Sequence, residues 1–118
     1  MLHDMFKRDP FYVLDVPAHL TGDVDGVKAK WKKPTGSELL SIKFAYSIEE
    51  DNAEAPGQGG QKVIKELFSD LFVCVFAGDD TIEDLDLDDP ELDEQMALWL
   101  YTATANMVTE LSTGEKKG

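Results

Sequence analysis

Between residues 79 and 94 the chain carries ten Asp or Glu and neither Lys nor Arg. Carboxylates at this density suggest a hard cation, and Asp84-x-Asp86-x-Asp88 has the spacing that opens an EF-hand calcium loop. Counting on from Asp84, the glycine position of the sharp turn is Asp89, and Gln95 stands where a bidentate Glu is required. Pro90 falls between them. The run therefore reads as a solvated loop whose carboxylates favour the N-terminus of a following helix through its dipole. Crowded like charges also predict a mobile segment, or one that meets the cations Lys28, Lys30, Lys32 and Lys33.

The other chemically capable residues form no constellation. His3 lies in a terminal stretch and His19 in a loop after Pro17, with no Ser-His-Asp order and no pair at helical ligand spacing. Cys74 is the single cysteine. It excludes an intramolecular disulfide and any Cys-based zinc site, and its place in Leu71–Ala77 reads as a small buried hydrophobe. Gly57-Gln58-Gly59-Gly60 precedes a helical pattern, but it follows no strand and lacks the Walker spacing for phosphate. Nothing in these residues argues for an enzyme, a metal or a cofactor.

At 118 residues the chain is long enough for one domain. Its formal net charge is −13, yet 42% of its residues are hydrophobic, enough to build a core. That balance opposes sequence-independent nucleic-acid binding and adsorption to an anionic membrane. The longest apolar run, Leu71–Ala77, is far short of a bilayer span. Met1–Pro10 has no apolar stretch of the signal-peptide kind. A soluble, intracellular protein is expected.

The elements follow from periodicity. Residues 11–16 are aromatic and β-branched, and the Asp25-Gly26 reversal leads into Val27, Ala29 and Trp31 alternating with Lys28, Lys30 and Lys32. This predicts a β-hairpin with one apolar and one cationic face. Thr35-Gly36-Ser37-Glu38 fits a capping box, with Ser37 a rival N-cap. A first helix follows over 38–50, its core stripe Leu40, Phe44 and Ile48 widened by Leu39 and Ile42. Residues 51–60 are expected to form a mobile loop. A second helix runs from Gln61 on Ile64, Leu67, Phe68, Leu71, Phe72 and Val75, with strand a rival for 71–77. Gly78 ends it, and 78–89 forms another mobile loop. Asp88 or Asp89 before Pro90 reads as the cap of a third helix, Glu91–Leu111, on Leu92, Met96, Trp99, Leu100, Ala103, Met107 and Leu111. The expected fold is α+β and mainly helical: one domain over 11–112, its hairpin packed on about three helices, between flexible tails 1–10 and 113–118.

This plan leaves an apolar surplus. The third helix has a second face of Leu98, Tyr101, Ala105 and Val108, and the second helix carries Val73 and Phe76 outside its stripe. A small domain has few surfaces to cover both, so part of the surplus is expected to serve self-association or an apolar partner.

The order of features resembles the tail assembly chaperones of long-tailed (siphovirus) bacteriophages, in their short, non-frameshifted form. The resemblance spans roughly residues 10–112. It rests on the strand Lys28-Ala29-Lys30-Trp31-Lys32-Lys33, then Pro34-Thr35-Gly36-Ser37-Glu38-Leu39, a helix, a polar loop and two further helices separated by acidic sequence. Glu115-Lys116-Lys117-Gly118 can be encoded by an A-rich slippery stretch, as a programmed −1 frameshift requires. The resemblance implies a non-enzymatic, self-associating protein of the host cytoplasm, absent from the mature virion. It would coat the apolar, helical tape measure protein, while a frameshifted form recruits the tail tube subunit. Phe68, Phe72, Val75, Phe76, Trp99 and Tyr101 are the residues expected to make the apolar contacts. An alternative of another class is an acidic nucleic-acid mimic that inhibits a DNA-binding protein, supported by Asp79–Glu94 and opposed by the basic stripe Lys28–Lys33.

Overall fold

The computed structural model describes residues 2–113. In chain order the elements are α1 (Leu2–Met5), β1 (Phe11–Asp15), a 3-10 turn (Ala18–Leu20), β2 (Lys28–Lys32), α2 (Gly36–Asn52), α3 (Gln58–Leu71), β3 (Phe72–Ala77), β4 (Asp80–Ile82) and α4 (Glu94–Thr113). The fold is α+β, with three long helices beside a sheet. The hairpin forms where expected, Tyr12 opposite Trp31 and Leu14 opposite Ala29. It is not a lone hairpin, however: β3 and β4 extend it to a four-stranded antiparallel sheet in the order β1-β2-β3-β4. The α2–α3 helical pair is the connection between the two central strands.

Strand wins over helix for residues 72–77. Val73, Cys74, Val75 and Phe76 are β-formers, and pairing with β2 satisfies their backbone groups as the helix would have done. Lys30 pairs with Cys74 but Trp31 with Phe72, so Val73 is the extra residue of a β-bulge. The bulge keeps Phe72 and Val75 both packed against the core. Gly78, at φ 58°, supplies the left-handed residue of the β3–β4 turn.

Alternation on β2 sets the core. Ala29 and Trp31 are fully buried, whereas Lys32 is exposed. Trp31 lies edge-on to Tyr12 (ring centroids 6.0 Å apart) and to Phe72 (5.7 Å), and is tilted against Trp99 (6.2 Å). Phe68 stacks on Phe72 at 4.6 Å, while Leu100, Ala103 and Met107 close the cluster from α4. The expected α4 stripe is thus the core stripe except for Leu92, which lies before the helix and outside this cluster. Cys74 is buried.

Three boundaries move for local reasons. Helix α3 begins at Gln58 rather than Gln61, so residues 58–60 are helical and the loop shrinks to 53–57. Helix α4 begins at Glu94 rather than Glu91. Its cap is Asp93, whose Oδ2 accepts from the Met96 amide at 3.0 Å and whose carbonyl accepts from Ala97. Asp89 and Pro90 instead make a separate turn, in which Asp89 accepts from Glu91 and Leu92. The rival caps of α2 resolve to Thr35, which forms the full capping box with Glu38. The Thr35 amide donating to the Glu38 carboxylate, followed by the Thr35 hydroxyl, lowers the Glu38 pKa. The short helix α1 falls within the expected N-terminal tail, and residues 114–118 of the expected C-terminal tail lie outside the described residues.

The acidic stretch makes contacts with the rest of the domain. Part of it is strand β4, and Leu85 and Leu87 pack on the core while Asp86 between them is exposed. Asp86 accepts from the Asp88 amide at 2.9 Å. Among the described residues Lys65 of α3 faces this stretch, 2.7 Å from Asp88, whose carboxylate raises the lysine's pKa. Of the hairpin lysines expected there, Lys28 pairs with Asp15 and Lys30 lies over the Phe11 ring.

A candidate binding groove

Helix α2 sits on α3 through two glycines. A Cβ on Gly59 would collide with the Glu49 backbone, and one on Gly60 would lie 2.6 Å from the Tyr46 phenolic oxygen. Hence two consecutive glycines stand in the first turn of a helix, where they give away intrinsic helix stability for closeness. The N-cap position, Gly57, has no side chain to offer. Glu50 of α2 serves instead: its carboxylate accepts the Gly60 amide at 2.6 Å and the Gly57 amide at 3.1 Å. A negative charge on a helix N-terminus is favoured by both hydrogen bonding and the dipole. Glu49 to Lys62 (3.3 Å) closes the junction on its outer side.

This close crossing leaves a groove of about 760 Å³ between α2 and α4. Gly60 and Ile64 form its floor, Ile42 and Tyr46 one wall, and Tyr101, Ala105 and Val108 the other. Its lining is mostly apolar by area, and Lys43, Ser47, Gln61, Thr109, Ser112 and Thr113 join the two phenols as its polar groups. Burial, followed by the neighbouring Tyr46, pushes the Tyr101 pKa upward, so the Tyr101 phenol stays neutral at physiological pH. Among the described residues that line it there is no His, Cys, Asp or Glu. Among the described residues no group of three or more His, Cys, Asp or Glu could hold a metal ion. Asp84, Asp86 and Asp88 are no exception.

The residues expected to make apolar contacts divide. Phe68 is only 1% exposed and belongs to the interior. Phe72, Val75 and Trp99 are half-buried and also pack on the core. Phe76, half-buried, lies on the opposite face of the sheet from Val75. Tyr101 alone of the six lines the groove, beside Ala105 and Val108 of the surplus α4 face.

The largest correction concerns α2. Leu40 and Phe44, expected to face the core, are 72% and 70% exposed, and Ile48 is exposed as well. The helix has two apolar faces on opposite sides, Leu39-Ile42-Tyr46 and Leu40-Phe44-Ile48. Only the first shares its side with Glu49 and neighbours Glu50, the residues that dock α3. That docking turns the second stripe to solvent.

Comparison with protein-family models, curated proteins and solved structures finds no match for this chain. None of the described helices is long and apolar enough to cross a membrane.

Proposed function

We propose that this protein is a non-enzymatic assembly chaperone that self-associates and holds an apolar helical partner, the tape measure protein of a tailed phage. The observation that carries the reading is the α2–α4 groove, an open apolar trough walled by Ile42, Tyr46, Ala105 and Val108. Apolar grooves between helices accept a row of side chains from an amphipathic helix. The net charge of −13 keeps a chain with so much exposed apolar surface in solution. The order of elements that resembles the phage chaperones supplies the identity of the partner. On this reading the protein works in the host cytoplasm and leaves before the virion matures, and a frameshifted product recruits the tail tube subunit.

Co-expression with the tape measure protein encoded by the same genome tests the proposal. The expected result is a soluble complex that survives size-exclusion chromatography, and its loss in a groove variant such as Ala105→Glu. A tape measure protein that stays insoluble and unbound with the wild-type chain overturns it. Nucleotide sequence at codons 115–118 bears on the longer product, since a closed −1 frame removes the frameshift.

A further inference from the structure

The outer stripe of α2 contributes to neither the core nor the groove. We propose that it pairs with the same stripe of a second copy of this chain, antiparallel, about a two-fold axis at Phe44. The inference rests on the self-association in the reading above and assigns it a surface and a symmetry.

Charge selects the occupant. Two copies of a chain at −13 repel, and close approach is opposed least where the facing surfaces carry little net negative charge. The outward half of α2 is such a surface. Around Leu40, Phe44 and Ile48 stand Ser37, Ser41 and Ser47, with Asp51 at the end. The other carboxylates of α2 are engaged inside the molecule: Glu38 in the capping box, Glu49 with Lys62, and Glu50 on the α3 amides.

Spacing selects the symmetry. Leu40 and Ile48 are equidistant from Phe44, so reversing the helix superimposes the stripe on itself, as a two-fold interface requires. In that register Leu40 meets Ile48 of the second copy, and Asp51 comes beside its Ser37. There the positive end of a helix follows directly on Lys32 and Lys33. A parallel pairing would instead bring the two Asp51 carboxylates together. The helix is about 25 Å long at 1.5 Å per residue. One face of it offers less than the roughly 800 Å² per partner of a standard stable interface. The dimer is therefore weak, dissociating in the micromolar range.

Sedimentation equilibrium of the full chain, from low micromolar to submillimolar concentration, reads this directly. The wild type should move from monomer to dimer. Phe44→Asp, at a solvent-exposed position, should keep its circular dichroism and raise the dissociation constant at least about ten-fold. Leu40→Cys mixed with Ile48→Cys should give a disulfide-linked dimer that neither variant forms alone. A wild type that stays monomeric, a Phe44→Asp protein that dimerises normally, or Leu40→Cys linking efficiently to itself each overturns the proposal. Ala105→Glu separates it from the chaperone reading, because that change should spare the dimer while weakening partner binding at least about ten-fold.

Discussion

The Trp31 indole N–H donates to Thr104 Oγ1 at 3.0 Å, joining the central strand β2 to α4 between two fully buried side chains. Thr104 in turn donates to the Leu100 carbonyl at 2.8 Å. The hydroxyl is therefore donor and acceptor at once. It is the polar fastening of an otherwise apolar cluster.

Thr104→Val keeps the shape and removes the acceptor, leaving the indole N–H buried and unpaired. The expected cost is about 1–3 kcal/mol of stability, read as a lower urea midpoint with an unchanged slope. Thr104→Ser restores the acceptor and should recover most of the loss. A Val variant as stable as wild type would show that the fastening contributes nothing.

The α2–α3 junction makes a second prediction. Gly60→Ala puts a methyl against Tyr46, a side chain able to shift, whereas Gly59→Ala puts one against the Glu49 backbone, which cannot. Alanine normally stabilises a helix by up to about 1 kcal/mol over glycine. Here both variants should be destabilised, Gly59→Ala more than Gly60→Ala, with Tyr46→Ala rescuing only the latter. Thermal unfolding of wild type, the three single variants and the two double variants gives the ordering.

The same junction explains where sequence and structure part. The hairpin, the capping box and the α4 core stripe were legible because each is set by local spacing: alternation at Ala29 and Trp31, Thr35 with Glu38, Leu100 with Ala103 and Met107. Which face of α2 turns inward was not legible. Leu40-Phe44-Ile48 is the stronger stripe by hydrophobicity, and it loses to a weaker one that carries Tyr46 and Glu49 and lies beside Glu50. The deciding signal sits in another segment, as glycines that read as a loop until their partner helix is known. The groove inherits this, since only its α4 wall (Tyr101, Ala105 and Val108) stood out as surplus. For residues 72–77 both periods fitted, and tertiary pairing with β2 decided.

Alkaline pH tests the edge of the core. Burial of Tyr12, then its 3.0 Å hydrogen bond to Glu110 and the charge of that carboxylate, raise the phenol to about 12. The unfolded chain loses this proton near 10, the folded chain only near 12, so the unfolded state binds fewer protons between them. The stabilisation is present in full below pH 10 and is lost as pH rises toward 12. Urea midpoints of wild type should fall across that window more steeply than those of Tyr12→Phe. Equal slopes would show that Tyr12 ionises alike in both states.

The groove makes the functional prediction. Ala105 is half-buried on the α4 wall, between Tyr101 and Val108, and it has no hydrogen-bonding side chain to lose. Glutamate there can turn its carboxylate to solvent, so the fold should change by less than about 1 kcal/mol in stability. An apolar occupant would have to bury that carboxylate or displace it, and desolvating an unpaired charge costs several kcal/mol. Affinity for an apolar helical partner should therefore fall by at least about ten-fold, with thermal stability almost unchanged. Isothermal titration with a soluble tape measure segment compares the two proteins. The control is Ala97→Glu, on the same helix but outside this groove, which should bind as wild type does. Equal affinity for Ala105→Glu and wild type would place the binding surface elsewhere on the molecule.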